Sequence, residues 1–313
     1  IWDMEMVKHT FPSQFIPLGT IVTVFGTGSE MNAGAVITHE EKKLKSGIFG
    51  AQADFAFLDP TYTLSVPFGQ VISGAFDTLS HAMETYFGKP NENNLSDDIN
   101  EAVMRSVIRN IRALMQDHDN YEARSELAWA SAMAENGVLK IGKVTGFQAH
   151  QIEHQPGAYT GCNHGRGLAV IHPVLYRHLY KAGAARFARF AQNVWDIALI
   201  GCDKATALAG IEALAAFIRE IGLPTTFAEL GKKYGKSAAQ IILRWHIQDG
   251  NIVIPGSKNP DHIKVNFDLF DFALTGDEMA RIAALNQDRR YYTSTPELLK
   301  KYAQMVPPVD AQK

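Results

Sequence analysis

Hydrophobic and polar positions change rhythm twice along this chain. Residues 15–38, FIPLGTIVTVFGTGSEMNAGAVIT, alternate β-branched runs with glycine-rich turns, a pattern that predicts strand, loop and strand. From about residue 68 the spacing becomes helical. In SDDINEAVMRSVIRNIRALM, Val103, Val107, Ile111 and Leu114 make one apolar stripe, with Ser96 as the expected N-cap and two acids in the first turn. YEARSELAWASAMAENG carries alanine on several faces and reads as a buried helix ending near Gly137. DKATALAGIEALAAFIREIGLP predicts another, capped by Asp203 and stopped by Gly222 and Pro224. The character shifts again near 232. There KSAAQIILRWHI reads as a short helix, NIVIPGS as a strand, and two further helices follow, the last opened by a Thr275–Glu278 capping box. No internal repeat interrupts this order.

Composition narrows the class without naming a function. A chain of 313 residues has room for two cores, and 46% hydrophobic with 20% charged residues is an ordinary globular balance. A net charge of -3 provides no basic field for nucleic acid or an anionic membrane, so neither is an expected partner. No apolar run is long enough to cross a bilayer, and the opening IWDMEMVKHTFPSQF has neither the basic lead nor the apolar core of a signal peptide. Only Cys162 and Cys202 are present, which favours a reducing, cytoplasmic setting over a disulfide framework.

The histidines carry the candidate chemistry. HQIEHQPGAYTGCNH, residues 150–164, holds three of eleven. In FDTLSHAMETY, Asp77 and His81 stand four apart and project from one helical face; His150 and His154 repeat that spacing. His164 follows between Gly161 and Gly165, where the backbone can bend it towards the same point. One carboxylate with two or three imidazoles suits a first-row divalent ion such as Fe(II) or Zn(II). The plainer alternative is a surface Asp77–His81 ion pair with the other histidines scattered. Cys162 is a weaker candidate, since oxygen and nitrogen donors already complete a four-ligand site.

Asp-x-x-x-His followed by His-x-x-x-His and a further His ten residues on resembles the iron-containing (group III) alcohol dehydrogenases. VTVFGTGSEMNAGAVIT, EEKKLK, LDPTYTLSVP and GLAVIHPVLYR are similar to the same family, nearest its butanol-dehydrogenase branch, over about residues 10–231. The resemblance implies Asp77, His81, His150 and His164 as metal ligands, with His154 beside the metal, contacting substrate, relaying a proton or orienting a ligand. It implies NAD(P)H as hydride carrier, Thr23, Thr27, Ser29 and Asn32 of the glycine-containing loop as cofactor contacts, and Lys45 near the cofactor. Val24 and Phe25 stand where the family has a smaller Thr-Ala pair. The family's Gly-Gly-Gly-Ser phosphate loop is missing and no G-x-G-x-x-G occurs, so the chain reads as N-terminally truncated or as one whose gap a partner covers.

Residues 232–290 instead resemble the C-terminal end of aldo-keto reductases. Ser257 and Asn266 match that family's motif, but Gly256 replaces its Lys and His262 its Arg, which weakens any preference for a 2'-phosphate. Such a tail is too short to close a barrel; an exposed seam near 231 is expected. The implied fold is an α/β remnant of a nucleotide-binding domain (1–67), then a mainly α-helical metal-binding domain (68–231), then a tail of one strand and helices (232–313). The implied function is interconversion of small alcohols and aldehydes, with homo-oligomerisation left open. The alternatives are a catalytically silent metal-binding scaffold and an aldo-keto-type reductase fragment.

Overall fold

The computed structural model describes residues 2–226 except 13 and 91, together with 238–251, 260–270 and a few isolated positions. The expected seam near 231, most of the strand at 251–257 with Gly256 and Ser257, the His262 side chain and the Thr275–Glu278 box lie outside the described residues.

Four short strands open the chain. β1 (Gly19–Ile21) pairs in parallel with β4 (Phe55–Phe57), in register Gly19 with Phe55 and Ile21 with Phe57. Between them β2 (Gly34–His39) and β3 (Leu44–Phe49) form an antiparallel hairpin. The switch to helix falls where the periodicity changes, at α1 (Phe68–Tyr86). α1 is apolar on nearly every face: Val71, Ile72, Ala75, Phe76, Leu79, Ala82, Met83 and Tyr86 are buried, as expected of a helix inside a bundle. Around it pack α2 (Leu95–Gln116), α3 (Tyr121–Glu135) and α5 (His164–Leu179). α4 (Gln148–Thr160) lies against α5 and β3, while α6 (Ala184–Trp195) and α7 (Asp203–Glu220) pair with each other. α8 (Ala238–Gln248) and α9 (Pro260–Phe267) follow. No helix among the described residues is long and apolar enough to cross a membrane.

The expected α2 stripe is present: Val107, Ile111 and Leu114 are fully buried and Val103 packs against the core from its edge. Two expected caps are corrected. Ser96 is not the N-cap of α2; Asn94 is, accepting from Asp97 N at 3.0 Å while the Asp97 carboxylate accepts from Asn94 N at 3.1 Å. Ser96 is buried one turn inside, where its hydroxyl donates to Ile141 O at 3.0 Å. Asp203 likewise lies in the first turn of α7 instead of capping it; the cap position is Cys202, which makes no side-chain capping bond. In both cases a neighbouring residue takes the extended backbone conformation that a cap requires, and local composition does not reveal which one.

Candidate metal centre

Three helices bring the predicted ligands together. Asp77 and His81 project from the middle of α1, His150 from the first turn of α4, and His164 opens α5. The route from α4 to α5 is short because Gly161 ends α4 in the left-handed conformation at φ 57°. Asn163 then caps α5. Gly165 allows the close approach of α5 to α1: a Cβ there would stand 2.1 Å from Ser73 O. That contact sets His164 beside Asp77.

Distances converge on one carboxylate oxygen. Asp77 Oδ1 lies 3.4 Å from His81 Nε2, 3.4 Å from His150 Nε2 and 3.8 Å from His164 Nε2. Bonds of ~2.1 Å to a tetrahedral ion separate neighbouring donors by about 3.4 Å. Donor atoms of Asp77, His150 and His164 lie within 4.8 Å of one another; His81 joins through Asp77 and stands outside that mutual set. Asp77 Oδ1 and His150 Nε2 are buried and make no hydrogen bond. Two orphaned polar atoms facing each other at 3.4 Å fit a shared cation. The surface ion pair is thereby excluded, because Asp77 is 4% exposed.

Charge reinforces that fit. Burial opposes ionisation of Asp77, but His81, His150 and His164 outweigh it and drive the carboxyl well below the usual carboxylate range. Burial likewise opposes charge on His81, yet Asp77 and Glu135 outweigh it and hold the imidazole up to about 10. The field at this point therefore favours positive charge.

Behind each imidazole stands a carboxylate that sequence reasoning missed. Glu84 of α1 faces His150 Nδ1, Glu153 of α4 faces His164 Nδ1, and Glu135, the last residue of α3, stands 2.8 Å from His81 Nδ1. The last pair is close enough for ionic attraction but off the hydrogen-bonding direction. A signal existed for two of them. Asp77, His81 and Glu84 follow i, i+4, i+7 on one face of α1, and Glu153 is one turn beyond His150. Nothing local marks Glu135.

His154 stands outside the set around Asp77, its ring centroid 5.8 Å from that of His164, but its donor atom lies within 4.8 Å of those of Glu153 and His164. Burial, then the nearby Lys45 and His164, push its imidazole down to about 4, so it is neutral at neutral pH. Phe147 closes the other side, its ring centroid 5.7 Å from His81 and 5.2 Å from His150.

A cleft of about 170 Å³ opens on the Asp77–His164 side, lined in part by Val24, Phe25, Gly26, Thr27, Asn163 and Gly165. Its floor is α1 at Gly74, where a Cβ would meet Phe25 O at 2.2 Å. Of the expected cofactor contacts, only Thr27 lines this cleft; its hydroxyl pairs with Ser29 Oγ at 2.7 Å. Thr23 is exposed. The Asn32 amide is committed to the loop itself, donating to Gly28 O at 2.8 Å and accepting from Gly34 N at 2.8 Å. Lys45 reaches inward from β3, with Nζ 3.0 Å from Glu153 and 3.2 Å from His164 Nδ1. It stands behind the histidines.

Two family descriptions match the chain. The family description "Fe-containing alcohol dehydrogenase family, C-terminal" fits residues 71–251, and "Iron-containing alcohol dehydrogenase" fits residues 1–60. A probable NADH-dependent butanol dehydrogenase of Bacillus subtilis is 36% identical over 232 residues, 73% of this chain and 59% of the relative. The chain thus spans about three fifths of that relative's length. A crystal structure of NADH-dependent butanol dehydrogenase A from Thermotoga maritima superposes with a TM-score of 0.68 at 26% identity, covering 91% of this chain and 69% of that one. A 67-residue stretch, 21% of the chain, is 57% identical to an aldo-keto reductase family 1 member of Oryctolagus cuniculus, covering 21% of that protein.

Proposed function

Because the chain belongs to the Fe-containing alcohol dehydrogenase family, we propose that it is a metal-dependent, NAD(P)-linked oxidoreductase interconverting alcohols and aldehydes by hydride transfer. Convergence of three imidazole Nε2 atoms on Asp77 Oδ1, at 3.4, 3.4 and 3.8 Å, carries this reading. Asp77, His81, His150 and His164 would hold the divalent ion, Fe(II) as in the family's name or Zn(II) by the same donor chemistry. An ion bound there supplies Lewis-acid polarisation of the substrate oxygen, and the nicotinamide supplies the hydride.

The chain's own residues orient and shelter that chemistry. Asp77 would offer the single negative donor among the four, which would leave a divalent ion held there with net positive charge towards a carbonyl or alkoxide oxygen. His154, neutral with its imidazole down at about 4, is suited to a hydrogen bond with substrate and poorly suited to storing a proton at neutral pH. The glycine-flanked cleft beside Thr27 lets backbone approach a flat ring closely, and we assign the cofactor to that side, with Thr23, Ser29 and Asn32 shaping the loop. The reading keeps three parts, 1–67, 68–231 and 232–313, and a cytoplasmic setting for a chain whose two cysteines form no disulfide.

The test is NADH and NADPH oxidation with a short aldehyde, with and without chelator. Chelator-sensitive turnover is the expected result. Bound metal without turnover would favour the silent scaffold, and chelator-resistant turnover would move the activity to the aldo-keto-like tail.

A further inference from the structure

We propose that Glu84, Glu135 and Glu153 are positioning residues, each facing the Nδ1 of one imidazole so that the Nε2 of that ring turns onto Asp77, and that Lys45 and Lys140 limit how strongly they do so. The proposal rests on the metal-binding reading above and deepens it.

Three observations carry it. The pairing is one to one and comes from different elements: Glu84 with His150, Glu135 with His81, Glu153 with His164. All three carboxylates are withdrawn from solvent, with side chains 5%, 11% and 0% exposed. Burying a carboxylate is costly unless it is paired, so three independent burials around one centre need a common cause. A donor set of imidazoles supplies one: an acceptor at the other ring nitrogen holds a ligating histidine in its working tautomer, as Glu84 and Glu153 are placed to do for His150 and His164, while Glu135 acts on His81 by charge alone.

The remaining contacts differ in an informative way. Glu84 is satisfied by backbone, accepting from Ala149 N at 2.7 Å and His150 N at 3.0 Å in the first turn of α4. Glu153 is shared with Lys45 at 3.0 Å, and Glu135 with Lys140 at 2.9 Å. Each lysine draws negative charge away from the imidazole and adds a positive charge near the ion. Removing a carboxylate and removing its lysine should therefore change metal affinity in opposite directions. Simple helix-pinning salt bridges would lose stability from either end and leave the ligand field untouched.

The experiment measures Co(II) and Zn(II) affinity by chelator competition, with Co(II) absorption and thermal unfolding recorded on the same samples. The parent is compared with Glu84→Gln, Glu135→Gln, Glu153→Gln, Glu153→Asp, Lys45→Met and Lys140→Met. The three Gln variants should lose on the order of 10- to 100-fold in affinity. They should also shift the Co(II) bands, and Glu153→Asp should recover part of the loss. Both Lys→Met variants should bind metal more tightly than the parent. Should a Gln variant fail to fold, the signs of the Lys45→Met and Lys140→Met changes still decide. Unchanged affinity and spectrum in the Gln variants, or weaker binding in the Lys variants, overturns the proposal. In that case Asp77→Ala still losing metal leaves the metal centre standing, whereas a parent that binds neither ion removes both.

Discussion

Gly165, the residue after His164, and Cys162, two residues before it, test the site at its smallest scale. A methyl at Gly165 would sit 2.1 Å from Ser73 O, so Gly165→Ala must push α5 off α1. Overpacking of this kind costs about 1–3 kcal/mol, and it should also pull His164 away from Asp77. Chemical denaturation and metal analysis of the variant should show both losses together; a stable variant with full metal would mean that the contact does not set the ligand. Cys162 behaves differently. Its Sγ lies 3.8 Å from Glu153 Oε1, behind the imidazole. Cys162→Ser should keep its metal, and a clear loss would bring the thiol into the ligand set. At this scale the shared face of Asp77 and His81 was legible because i,i+4 spacing within a helix fixes it, while the full candidate ligand set was implied by the family resemblance. Glu135 was not legible, since it reaches His81 only through the packing of α3 on α1. Lys45 was legible as a site residue, but its place behind His164 follows from the pairing of β3 with α4.

Among the elements, α2 shows where local signals end. Its apolar stripe was readable, while its start was displaced by two residues from Ser96 to Asn94, because several polar residues there could cap and tertiary contacts choose among them. Asp97 is the choice's beneficiary. Fully buried, it belongs to the capping box and pairs with Lys143 at 2.8 Å and with Arg186, which joins the start of α2 to α6. Burial raises its carboxyl, but the hydrogen bonds from Arg186 and Lys143 outweigh this and leave it lowered. A group lowered in the folded state contributes stability that is complete above its unfolded value, about 3.9. That contribution is lost as pH falls through the folded value. The melting temperature of the parent should thus drop steeply below about pH 4. Asp97→Asn should melt lower at pH 7 and show a shallower acid decline. An identical slope in both proteins would remove Asp97 from the acid response.

Across the whole molecule, the change from β-branched, glycine-punctuated segments to helical spacing placed the start of the helices at about residue 68 without knowledge of any contact, because a bundle helix must bury its apolar positions in a core. The opening strands are a different case. β1 and β4 pair in parallel across 33 residues of intervening chain, and neither partner nor direction is written in a three-residue strand. Phe55 and Phe57 remain about 60% exposed there, whereas Phe76 and Phe190 of the helical part are fully buried. The proposed metal centre belongs to that better-packed part, so the residues assigned to it should hold an ion whatever the fate of the cofactor cleft. Metal content of six purified proteins tests this most directly: the parent, Asp77→Ala, His81→Ala, His150→Ala, His164→Ala and His154→Ala. The four ligand variants should lose their metal, and His154→Ala should retain it at close to the parental ratio. Equal loss in His154→Ala would contradict the ligand assignment, and retention in all five would place the ion elsewhere.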